Sequence, residues 1–147
     1  MKSHEHSHGW CSLRIRFDER ELELLKGAEQ VRGAAFAHTT RPEVLRTALG
    51  LAKAGQKLGV AAPRASVSLD ESEVGLLLEA LRYATDEVRR AAASRPQDNQ
   101  AAARPEPVMT AFPELVQKGL WRSFGLIREL DALATRLQVA LHGAAHH

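Results

Sequence analysis

Arg14 and Arg16, two residues apart, are the side chains of this 147-residue chain with the clearest chemical use. They lie in Ser12-Leu-Arg-Ile-Arg-Phe17, where Leu13, Ile15 and Phe17 alternate with Ser12, Arg14 and Arg16. A period of two places the apolar side chains on one face of a strand and the polar ones on the other. A guanidinium donates two parallel N–H bonds to a carboxylate, to a phosphate or to the O6/N7 edge of a guanine. A serine hydroxyl donates and accepts, so it suits either kind of partner. The plainer use of such a face is to keep an edge strand soluble.

Other chemistry is sparse. No Gly-rich phosphate loop, His-Glu-x-x-His, paired cysteine or Gly-x-Ser-x-Gly occurs. His38 falls in a connection, and Cys11 has no His/Asp partner pattern. The carboxylates gather at helix starts, Asp18, Glu19 and Glu21, then Asp70, Glu71 and Glu73, where capping and the helix dipole account for them. His4, His6 and His8 alternate and could hold a transition metal weakly, but a disordered end or a tag is the simpler reading, as for His142, His146 and His147. The expectation is a protein that is not an enzyme, with no cofactor and no metal.

The elements that must position the arginines follow directly. Asp18 ends the strand, and Asp18-x-x-Glu21 opens a helix over 19–32 with Leu22, Leu24, Leu25, Ala28 and Val31 as its apolar stripe. Gly33 ends that helix. Thr40-Arg-Pro-Glu43 reads as a second capping box with Pro42 in the first turn, and Val44, Leu45, Ala48, Leu49 and Ala52 as the buried face of the next helix, which fades at 55–59. A single short strand is unstable in water. It must pair, most simply with the same segment of a second chain, or else with 64–69 of its own chain.

Strand, helix, turn and helix in under fifty residues resemble the ribbon-helix-helix DNA-binding family of Arc/MetJ-type repressors. The resemblance rests on Ser12–Phe17, on the Phe17-Asp-Glu-x-Glu-Leu entry to the first helix and on Thr40-Arg-Pro-Glu-Val-Leu-Arg46, and it covers residues 12–58. The connection Gly33–Thr39 is longer than the family's tight turn. The resemblance implies a dimer formed through 12–17, with Ser12, Arg14 and Arg16 contacting base edges of double-stranded DNA in the major groove. The start of the second helix would hold a phosphate, with Thr39, Thr40 and Arg41 adding contacts. Leu13, Ile15, Phe17, Leu22, Leu25, Val44, Leu45 and Leu49 would form the core and dimer interface.

The fold class expected is mainly α: a ribbon-helix-helix module of one strand and two helices, then an antiparallel helical hairpin. The boundaries are a His-rich disordered tail 1–11, the module 12–59, a linker 60–66, a hairpin 67–142 with a mobile loop 94–111, and a tail 143–147. An echo complicates the second part. Phe17-Asp-Glu-Arg-Glu-Leu-Glu-Leu-Leu25 aligns without a gap on Leu69-Asp-Glu-Ser-Glu-Val-Gly-Leu-Leu77, and Val67 and Leu69 alternate with Ser66 and Ser68. Pro113-Glu-Leu-Val fainter still repeats Pro42-Glu-Val-Leu. Residues 65–142 are thus a plain hairpin or a degenerate second copy of the module. A last helix over 112–141 carries Val116, Leu120, Phe124, Ile127, Leu130, Ala134, Leu137 and Leu141 at steps of three and four.

Charge agrees with an anionic partner for the front of the chain. Residues 12–64 hold ten Lys/Arg against six Asp/Glu, a net +4, and residues 65–147 hold nine against eleven, a net −2. One Cys fits a reducing compartment, and no apolar run reaches the roughly 18 residues of a membrane span. Together these features predict a cytoplasmic transcriptional regulator, repressor or plasmid/phage-type accessory factor. It would be a homodimer or higher oligomer, with the C-terminal helices free for a protein partner. The competing expectation is an all-helical scaffold without DNA binding.

Overall fold

The expected strand forms over Leu13–Arg16 (β1), and its mate lies in the same chain. Ser66–Leu69 (β2) pairs with it antiparallel: Leu13 opposite Leu69, Arg14 opposite Ser68, Ile15 opposite Val67, Arg16 opposite Ser66. The structure, a computed structural model, describes residues 12–93, 107–118 and 122–145. A lone strand predicts a union of two chains. The echo at 66–69 supplies the partner within one chain, where closing a loop of about fifty residues costs only a few kcal/mol of entropy.

Around this ribbon the described residues form six helices: α1 (Glu19–Ala35), α2 (Pro42–Gly59), α3 (Glu71–Ala93), α4 (Pro107–Ala111), α5 (Glu114–Lys118) and α6 (Ser123–Ala145). The fold is mainly α with one two-stranded antiparallel ribbon. Both strands enter their helices through the same device. The Asp18 carboxylate accepts the Glu21 N–H at 2.7 Å, and Glu21 accepts the Asp18 N–H at 3.0 Å. Asp70 and Glu73 repeat this at 2.7 and 2.9 Å. Each box satisfies orphan donors at a helix start.

α3 is the hub of the packing, lying against α1, α2 and α6. The inner ribbon face delivers Ile15, Phe17, Val67 and Leu69 to a core shared with Leu22 and Leu25 of α1, Leu77 and Leu81 of α3, and Leu130 and Leu137 of α6. Leu13 is only half-buried. The α1 stripe is the expected one, and α1 continues three residues past Arg32 to Ala35.

α2 differs from expectation. Its buried residues are Leu51, Ala54 and Leu58, while Val44 is half-buried and Leu45 and Leu49 are 43 and 67% exposed. This helix carries two apolar stripes, and periodicity alone does not choose between them. The side with Gly50 faces α3 closely: a Cβ there would stand 2.8 Å from Leu76 Cδ1. The Thr40 capping box also does not form. Pro42 occupies the first turn and holds its predecessor extended, so Arg41 (φ −77°, ψ 127°) becomes the N-cap and Thr40 lies outside the helix.

In the second half, residues 107–111, expected to be part of a mobile loop, form α4, whose Val108 is buried together with Phe112 just beyond it. Gly27 of α1 receives the Phe112 ring so closely that a Cβ would overlap it. The single helix expected over 112–141 is two, α5 and α6. A seam drawn through both misplaces Val116 and Phe124, which are exposed; the buried series is Leu126, Leu130, Leu133, Ala134 and Leu137. Arg20 of α1 ties these helices down, meeting Glu114 at 2.9 Å and Glu129 at 2.8 Å, and Arg122 meets the same two carboxylates at 3.0 and 3.1 Å. The linker is one residue shorter than expected because Ser66 joins β2, and residues 143–145 extend α6 rather than forming a tail. The expected tail 1–11, most of the expected loop (94–106), Leu120 and residues 146–147 lie outside the described residues.

Candidate nucleic-acid interface

Backbone pleating decides which side chains leave the ribbon outward. Ile15, Phe17, Val67 and Leu69 are buried, so Ser12, Arg14 and Arg16 with Ser66 and Ser68 take the opposite face, and all five are exposed. The structure therefore keeps the three expected base-contact residues together and adds two serines. Those two are legible as an alternation in Ser66-Val-Ser-Leu69, and they join the site only under the alternative in which that segment pairs with 12–17 of its own chain.

Neither the Arg14 nor the Arg16 guanidinium has an ion-pair or hydrogen-bond partner among the described residues. Most neighbouring cations differ. Arg136 donates to Glu21 at 2.6 Å and to the Arg16 carbonyl, and its guanidinium lies 5.4 Å from the Phe17 ring centroid. Lys57 meets Glu73 at 2.7 Å. These two cations neutralise the capping-box glutamates at the two helix starts beside the ribbon. Arg64 donates its backbone N–H to the Phe17 carbonyl at 2.8 Å and turns the chain into β2 with φ of 71°; its residue is exposed.

The expected phosphate contacts sit elsewhere. Thr39 is half-buried and its hydroxyl accepts the Arg41 N–H at 3.3 Å, while Thr40 is exposed and Arg41 pairs with Glu43 at 3.1 Å. Arg41 and Lys57 are sixteen residues apart on α2, about 24 Å along its axis. Lys57 is bound to the start of α3 next to β2, so Thr39–Arg41 occupy the other end of α2.

Arg32 is held between rings, 4.4 Å from the centroids of both Phe36 and Tyr83, and meets Glu79 at 2.8 Å. It fastens the end of α1 to α3 and is not free to bind a ligand. The Glu129 carboxyl lies below its ordinary range because Arg20 donates to it, and Arg20 is held charged chiefly by that same bond. Glu29, over Gly55, is pushed up by burial. Comparison with protein-family models, with curated proteins and with solved structures finds no match.

Proposed function

We propose that this chain is a DNA-binding protein of ribbon-helix-helix type, a transcriptional regulator or accessory factor of the cytoplasm, which lays its two-stranded ribbon in the major groove. One observation carries the reading: Arg14 and Arg16 project, without protein partners, from a ribbon whose other face is packed into the core. Two strands about 4.8 Å apart fit a groove about 12 Å wide. Each guanidinium bonded to a guanine edge discriminates by about 1–3 kcal/mol. Charge in the front half supports an anionic partner. Of the ten Lys/Arg in residues 12–64, only Arg20, Arg32, Arg41 and Lys57 have a carboxylate partner among the described residues. Of the remaining six, Arg14, Arg16 and Arg64 lie on or beside the ribbon.

The test is an electrophoretic mobility shift with genomic fragments at low salt. The wild type retards DNA, and Arg14→Ala/Arg16→Ala loses the retardation while its helical circular dichroism stays unchanged. An unretarded wild type would rule the proposal out. A second reading, a protein-interaction scaffold, is favoured by one feature, the exposed Leu45 and Leu49 one turn apart on α2. Among the described residues, no helix is long and apolar enough to cross a membrane.

A further inference from the structure

The scaffold of the ribbon is close to two-fold symmetric. Ile15 faces Val67, and these residues are 52 apart. The same spacing carries Phe17, Asp18 and Glu21 onto Leu69, Asp70 and Glu73, so equivalent positions meet at the centre of the ribbon and equivalent capping boxes flank it. The cations are exchanged across this axis. Lys57, from the helix before β2, binds Glu73 of the second half, and Arg136, from the last helix, binds Glu21 of the first.

The readers break that symmetry. At the same spacing Arg14 corresponds to Ser66 and Arg16 to Ser68, and across the ribbon Arg14 faces Ser68 while Arg16 faces Ser66. One strand presents long, charged, two-pronged donors, and the other presents short hydroxyls that accept or donate to any base edge. Arg64, at the position equivalent to Ser12, is exposed in the turn before β2, not on the strand. Net charge follows the same division, +4 over residues 12–64 and −2 over 65–147.

For dimeric readers, operator palindromy mirrors the symmetry of the protein. Resting on the major-groove reading above, we propose that the duplex bound here is non-palindromic and filled by one chain, with guanines under Arg14 and Arg16 and none required at the dyad-related positions under Ser66 and Ser68. Because Arg14 stands beside Ser68 and Arg16 beside Ser66, each half of the ribbon specifies one position and leaves its neighbour permissive. The second strand of the ribbon is already present in the chain, so no further copy is needed to complete the reader.

The test is in vitro selection by the full chain from a duplex library with a randomised 16-base-pair core, followed by native mass spectrometry of the selected duplex. The expected result is a consensus without dyad symmetry and one chain per duplex. Replacing the guanines under Arg14 and Arg16 weakens binding about ten- to a hundred-fold, while changes at the positions under Ser66 and Ser68 alter it less than about threefold. Selection with Ser66→Arg/Ser68→Arg adds mirror-image guanines. A dyad-symmetric consensus for the wild type, or two chains per duplex, overturns the inference and leaves DNA binding standing. Recovery of no bound duplex at low salt overturns both.

Discussion

Lys57 meets Glu73 at 2.7 Å, and Glu73 is the residue whose carboxylate also accepts the Asp70 N–H at 2.9 Å. One buried carboxylate therefore closes a helix start and anchors α2 to α3. Glu73→Ala strands both donors and is expected to cost about 1–3 kcal/mol. Lys57→Ala leaves that buried carboxylate without its cation but keeps the Asp70 N–H on it, so its cost is expected to be smaller, about 1–2 kcal/mol. Urea denaturation of the two variants checks the ordering.

Gly27 lets the Phe112 ring rest on α1. Gly27→Ala would gain helix propensity of about 1 kcal/mol on an open surface. Here the added methyl meets an aromatic ring, and the expected outcome is a net loss of about 1–3 kcal/mol from overpacking. Combining it with Phe112→Leu should recover part of the loss relative to Phe112→Leu alone. A double-mutant cycle by thermal unfolding reads that coupling.

On α2 the two leucines two residues apart have opposite fates. Leu51 is 2% exposed and Leu49 is 67% exposed. Leu51→Ala is expected to cost about 2–5 kcal/mol, and Leu49→Ala to stay within about 0.5 kcal/mol of wild type. Equal losses, read from denaturant midpoints, would show that the helix sits in the other rotation.

Two glutamates give stability opposite dependences on pH. Arg20 lowers the folded-state pKa of Glu129 below the ordinary value of 4.5. Its contribution is complete above that value and is lost as pH falls through the lower folded one. Burial raises Glu29 above 4.5, so its ionisation opposes folding as pH rises through the shifted value. Glu29→Gln should thus raise the melting temperature at pH 7 and leave it unchanged below the ordinary carboxylate range. Glu129→Gln should lower the melting temperature at pH 7, with the difference shrinking in acid. Calorimetric scans from pH 3 to 7 separate the two.

Local signals in the sequence were decisive where one residue pattern has one structural answer. The alternation at 12–17 specified a strand and its outward arginines, and Asp18-x-x-Glu21 and Asp70-x-x-Glu73 marked helix starts within a residue. The mate of the strand was legible only as one of two alternatives, because pairing across fifty residues leaves no local mark. Only the echo at 66–77 pointed to it. The face of α2 was ambiguous because Leu45/Leu49 and Leu51/Leu58 are both helical stripes, and the choice was made by small residues opposite α3. The division of the last helix escaped for a similar reason. A step of three or four continues on paper through residues where the chain does not.

A ribbon whose two strands are one polypeptide has a kinetic and a quantitative result. Its formation is first-order, so its melting temperature is independent of dilution, unlike that of a ribbon assembled from two subunits. On the DNA-binding proposal, occupancy of a target would then rise in direct proportion to the number of chains at low copy number, without the quadratic onset that subunit pairing imposes.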